Sequence, residues 1–194
     1  MWNDRVILGL MIMSFIPFAF GYSASFLLPA FNQSILGGGP DDLGLLMTAM
    51  GAGALAGSMA LARAGDFNGK GRVLFGASYF WALTVGAFAA TLTMFPALFL
   101  CALIGFFSAI VGSLNGSVLQ LAVSPEIRGR IMSIYMMTWG LVPLGVMPVS
   151  VIAEYIGIDW SLLAAAAMLA VSMFCLGLFL PELKRIDKGW GAKP

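Results

Sequence analysis

The chain has 194 residues, 60% of them apolar and 10% charged, with mean hydropathy +0.96. A soluble domain is about half apolar and about a quarter charged, so this composition excludes an ordinary soluble fold. A net charge of +1 argues against a nucleic-acid partner, and the absence of histidine removes the commonest metal ligand and catalytic base, so no metal or cofactor is expected.

About 20 apolar residues cross a hydrocarbon core roughly 30 Å thick. Six runs reach that length, at 6–28, 43–62, 73–93, 97–123, 131–156 and 160–180. Every charged residue lies at or beyond a span end. The alternating pattern of an outer-membrane barrel is absent. The expected fold is therefore an all-α integral membrane bundle of six transmembrane helices over 1–180, with a cytoplasmic tail at 181–194.

The first span carries Pro17 and Gly21, with Pro29 just beyond its end. Phe15, Phe18, Tyr22 and Phe26 recur at helical spacing and predict one aromatic stripe. Tyr22-Ser23-Ala24 offers a cleavage site, but Asp4 cancels Arg5 and the apolar run is too long for a signal peptide, so the segment is expected to remain. A turn follows with Gly37-Gly38-Gly39-Pro40, and Asp41 and Asp42 suit the positive end of the second helix. In that helix Ala49, Gly53 and Gly57 repeat every four residues, a face that permits close helix contact. Ordinary packing within the bundle and a sliding seam predict the same pattern.

The fourth span has the most polar helical stripe: Gly105, Ser108, Gly112, Asn115 and Leu119, with Gly116 and Gln120 beside it. An amide in hydrocarbon needs a partner or water, so Asn115 is expected to point into the bundle. Two readings stay open: it staples helices together, or it lines a polar cavity. The fifth span gathers Gly140, Pro143, Gly145 and Pro148, which predicts a kinked or loosened helix. Glu154 and Asp159 lie at or beyond its outer end and read as solvated helix-end groups. Cys101 and Cys175 fall within spans and read as packing thiols.

All ten Lys and Arg residues fall on one side of this topology. Arg5 precedes the first span; Arg63, Lys70 and Arg72 follow the second; Arg128 and Arg130 follow the fourth; Lys184, Arg185, Lys188 and Lys193 follow the sixth. Short loops rich in Lys and Arg stay in the cytoplasm, which places both termini there in a bacterial inner membrane. The lack of histidine disfavours an intramembrane serine protease, and the lack of regularly spaced arginines within a span disfavours a voltage-gated channel.

Two of these turns carry more information. The first, Pro125-Glu126-Ile127-Arg128-Gly129-Arg130, resembles the Pro-x-x-x-Arg-Gly-Arg turn between helices ten and eleven of major facilitator superfamily transporters. As a turn, Pro125 would end one helix, Gly129 would relax the chain, and the arginines would anchor it at an anionic surface. The second, from Gly57 through Asp66 to Arg72, is similar to the degenerate second copy of that superfamily's Gly-x-x-x-Asp-Arg-x-Gly-Arg-Arg loop. It departs from the motif at Leu61, where an acidic residue belongs, and Asp66 is displaced.

The resemblance covers essentially the whole chain and points to the carboxy-terminal six-helix half of such a transporter, closest to the enterobactin-exporter and macrolide-efflux-like branch. It implies inverted three-helix repeats and secondary active export of small molecules, drug- or siderophore-like, by alternating access with a second six-helix half. It also implies that the first and fourth helices line the cavity, the second and fifth form the moving seam, and the third and sixth face lipid. Phe18, Tyr22, Phe26, Ser108 and Asn115 become the cavity candidates, and the arginine-bearing turns a cytoplasmic latch. No Asp, Glu, Lys or Arg lies in a span interior, so a coupling carboxylate is expected in the other half. The first span begins almost at Met1, as expected of a piece of a longer transporter. A self-contained homodimeric half-transporter and a non-transporting membrane scaffold are the alternatives.

Overall fold

The computed structural model describes residues 15–123 and 125–179. The start of the first span and the tail at 181–194, with its four cations, lie outside the described residues. A π-helical segment, Pro17–Gly21, leads into α1 (Ser23–Ser34). There follow α2 (Pro40–Ala64), α3 (Lys70–Ala89), α4 (Met94–Ala122), α5 (Pro125–Ile156) and α6 (Ile158–Phe179). Helices α2 to α6 are each long and apolar enough to cross a membrane.

Local chemistry sets the helix ends. Between α1 and α2, Asn32 Nδ2 donates to the Gly39 carbonyl at 3.0 Å, and the Gly39 N–H donates to Asp42 Oδ2 at 2.8 Å. Pro40 then occupies the first helical position, where its missing N–H costs nothing. The turn from α5 to α6 passes through Gly157 at φ +96°, a conformation that penalises any side chain. Pro29 lies inside α1, which continues to Ser34, six residues past the expected end of the span.

One expectation needs correction. The Pro125–Arg130 segment is not a turn: Pro125 begins α5 and the helix runs through Arg130. Proline suits a first helical turn because its fixed φ is already helical, and Glu126 there favours the helix dipole. Gly140, Pro143, Gly145 and Pro148 all lie inside α5, which runs for 32 residues with two prolines in its interior. Gly145 serves close packing: a Cβ there would lie 2.5 Å from the Ala19 Cβ, in the π-helical segment.

Helix pairing has an internal symmetry. The α2 helix packs chiefly on α4, and α5 packs on the first helix through the π-helical segment. Helix α3 packs on α4 and α6, and α6 packs on the first helix. Exchanging the first three helices with the last three maps these pairings onto one another and α3–α6 onto itself, the pattern of an inverted repeat, whereas the α5–α6 contact has no counterpart of similar extent between α2 and α3. Gly53 faces Ala102 and Gly57 faces Phe106, so α2 and α4 run in the same direction.

Among the five helices long enough to cross a membrane, α3 and α6 are the most buried within this chain. In their most apolar windows 56% and 44% of residues are buried, against 17% for α2 and 19% for α5. Resemblance alone put α3 and α6 at the lipid. They do expose Phe80, Leu83, Val171, Phe174 and Leu178, but their other sides form the centre of the bundle. Trp81 is fully buried there, and the Phe31 and Phe88 rings meet at 4.5 Å.

Candidate functional site

The aromatic stripe of the first helix is divided by its surroundings. Tyr22 is half-buried and meets Trp81 edge to face at 5.4 Å, whereas Phe26 is exposed. Trp81 fits because Gly21 lacks a side chain: a Cβ there would lie 2.6 Å from the indole ring. The Phe18 side chain is not among the described ones.

Helix α4 carries its polar groups on two faces. Asn115 is completely buried, and half-buried Ser108 donates its hydroxyl to the Gly105 carbonyl of its own helix at 2.9 Å. Ser113, Ser117 and Gln120 point outward. With Gly112 and Gly116 on α4 and Met132, Tyr135 and Met136 on α5, they line a groove of about 410 Å³. The buried Tyr135 ring forms its back wall, its hydroxyl 3.5 Å from the Gly112 carbonyl oxygen. A Cβ at Gly112 would meet nothing within 4 Å, so this glycine leaves the groove open.

The groove thus brings hydroxyls, a carboxamide and two thioethers together without a charge. Such a wall suits a neutral or amphiphilic ligand that accepts and donates hydrogen bonds. Ser113 and Ser117 were not singled out in the sequence. Their spacing with Gln120, at four and three residues, marks one helical face and was the available signal.

The cationic motifs gather at one end of the bundle, since α2 and α4 run parallel and end side by side. Lys70 Nζ pairs with Asp66 Oδ1 at 2.9 Å, and Arg72 is exposed beside them. Arg128 donates to the Val123 carbonyl at 3.3 Å, which ties the start of α5 to the end of α4. Pro125, Glu126, Gly129 and Arg130 are exposed around it. On α2, Gly53 and Gly57 are buried against α4, and Ala49 is half-buried.

A family model described as transmembrane secretion effector matches residues 3–190. The chain is 25% identical over 175 residues to the staphyloferrin A transporter of Staphylococcus aureus, covering 90% of this chain and 43% of that protein. It is 27% identical over 154 residues to the multidrug efflux pump Tap of Mycolicibacterium fortuitum, covering 76% of this chain and 36% of that protein. The chain spans less than half the length of either relative. The match runs nearly end to end across an all-helical membrane bundle, and the chain belongs to the transmembrane secretion effector family of the major facilitator superfamily.

Proposed function

We propose that this chain is one half of a secondary active exporter, working by alternating access with a second six-helix half in the bacterial cytoplasmic membrane. The observation that carries the reading is the outward face of α4. Ser113, Ser117 and Gln120 project from a membrane helix, where polar groups facing hydrocarbon are costly, so this face meets water, cargo or the second half. Tyr22, Phe26 and Ser108 extend the cavity wall, with Phe18 and Asn115 as candidates beside them. The two relatives, an efflux pump and a siderophore transporter by name, support export of drug- or siderophore-like cargo. Both termini lie in the cytoplasm in this reading, and Asp66, Arg72, Arg128 and Arg130 latch the cytoplasmic side.

Dye efflux from cells tests this, comparing the chain alone with the chain co-expressed with a six-helix half encoded beside it. Efflux only with both halves is the expected result. Efflux by the chain alone would replace the reading with a homodimeric transporter, and none in either case with a membrane scaffold.

A further inference from the structure

A second groove runs between α3 and α6, with a volume of about 510 Å³. Leu83, Gly86 and Ala87 line one side; Leu163, Ala167 and Ala170 line the other. It exists because small residues face each other here. A Cβ at Gly86 would make ordinary van der Waals contact with the Ala166 Cβ at 3.6 Å, so the helices meet through small groups and no bulky side chain fills the trench beside the contact. Leu163 also lines an adjoining cavity of about 190 Å³ formed with Ala89, Ala90, Asp159 and Trp160. The two make one furrow from Tyr79 to Asp159. Ten residues of α3 separate Tyr79 from Ala89, about 15 Å of helix at 1.5 Å per residue. That is half of a hydrocarbon core roughly 30 Å thick, the depth of a single leaflet.

The polar end has a definite charge. The described cations Arg63, Lys70, Arg72, Arg128 and Arg130 lie at the opposite end of the bundle, whereas Asp41, Asp42, Glu154 and Asp159 lie at this one. Asp159 forms no ion pair among the described residues, and exposed Trp160 stands beside it at the depth where indoles meet headgroups. We propose that this furrow binds one phospholipid with an ammonium headgroup, of the phosphatidylethanolamine class. One of its acyl chains lies between Leu83 and Ala170, and its ammonium sits on the Asp159 carboxylate. The site does not depend on the identity of the cargo.

Quenching of Trp160 fluorescence by lipids brominated on the upper acyl chain tests this in vesicles holding the full chain. The Trp160→Phe protein supplies the background to subtract. At equal low mole fraction, brominated phosphatidylethanolamine is expected to quench about fivefold more effectively than brominated phosphatidylglycerol, the scale of one partly solvated ion pair. Asp159→Asn is expected to remove that preference, and Ala167→Phe to remove quenching by both lipids. Should Ala167→Phe fail to fold, Ala170→Leu fills the same trench less drastically. Equal quenching by the two lipids in the unmodified chain would mean ordinary boundary lipid and overturn the proposal. Headgroup preference surviving Asp159→Asn, or undiminished quenching in the folded furrow variants, would overturn it too.

Discussion

Gly53 is pressed against Ala102: a Cβ on residue 53 would fall 1.8 Å from the Ala102 carbonyl oxygen. The same closeness recurs along the pair: a Cβ on Gly57 would overlap the Phe106 carbonyl oxygen, and one on Gly105 the Met50 carbonyl oxygen. Helices α2 and α4 therefore touch backbone to backbone, as small residues allow in a membrane, where dispersion and packing hold helices together. The glycine face of α2 is occupied within the chain.

Gly53→Ala is expected to cost about 1–3 kcal/mol, because a carbonyl oxygen fixed in a helix cannot step aside and the helices must separate. Gly51→Ala, two residues along the same helix, meets nothing within 4 Å and is expected to stay within about 0.5 kcal/mol of the original. Thermal unfolding of the detergent-solubilised chain measures both. Equal midpoints for the two variants would mean that α2 and α4 are not this close.

A parallel pair of substitutions probes the symmetry-related contact. Gly145→Ala drives a methyl group into Ala19, while Gly140→Ala enters open space. The Ala19 methyl and its Cα cannot rotate aside, so the expected cost is about 1–3 kcal/mol. Gly140→Ala is expected to be neutral in the same unfolding experiment.

The two polar faces of α4 are expected to respond differently. Ser117→Ala and Gln120→Ala should raise the KM for cargo about threefold to tenfold in the assembled transporter, the scale of one lost hydrogen bond, with unfolding unchanged. Asn115→Ala should lower stability by about 1–3 kcal/mol, since it disturbs a fully buried polar group. A KM effect for Asn115→Ala without loss of stability would mean that the residue lines the cavity and does not staple helices.

The Asp66–Lys70 pair is solvent-facing, with Asp66 exposed. Asp66→Asn should therefore change stability by less than about 1 kcal/mol. If Asp66 helps latch the cytoplasmic side, the same variant lowers transport in vesicles although the fold melts normally. Unchanged transport would leave the pair a loop contact only.

The expected spans of α2 and α6 come within three residues of the observed helices at either end, because hydrocarbon demands an uninterrupted apolar helix and the sequence displays one. The larger errors fall where helices extend beyond the apolar run. Helix α5 begins at Pro125 and not at residue 131, and α1 continues through Pro29 to Ser34. Hydropathy registers membrane thickness, and a helix end in water carries no such signal.

Within α4 the sequence held both faces at once. Ser108 and Asn115 were as visible as Ser113, Ser117 and Gln120, and nothing in their spacing tells which set meets a neighbouring helix.

By itself the sequence determined six membrane-crossing runs, the segregation of cations to one end, and the family, because all three are written in apolar run length and local motifs. The tertiary structure alone decided that α2 and α4 run parallel in backbone contact, that Gly145 seats Ala19, and that Ser113, Ser117 and Gln120 open onto a groove while Asn115 is enclosed. These depend on which helices become neighbours, and pairing between helices is set by the fit of whole surfaces distant along the chain.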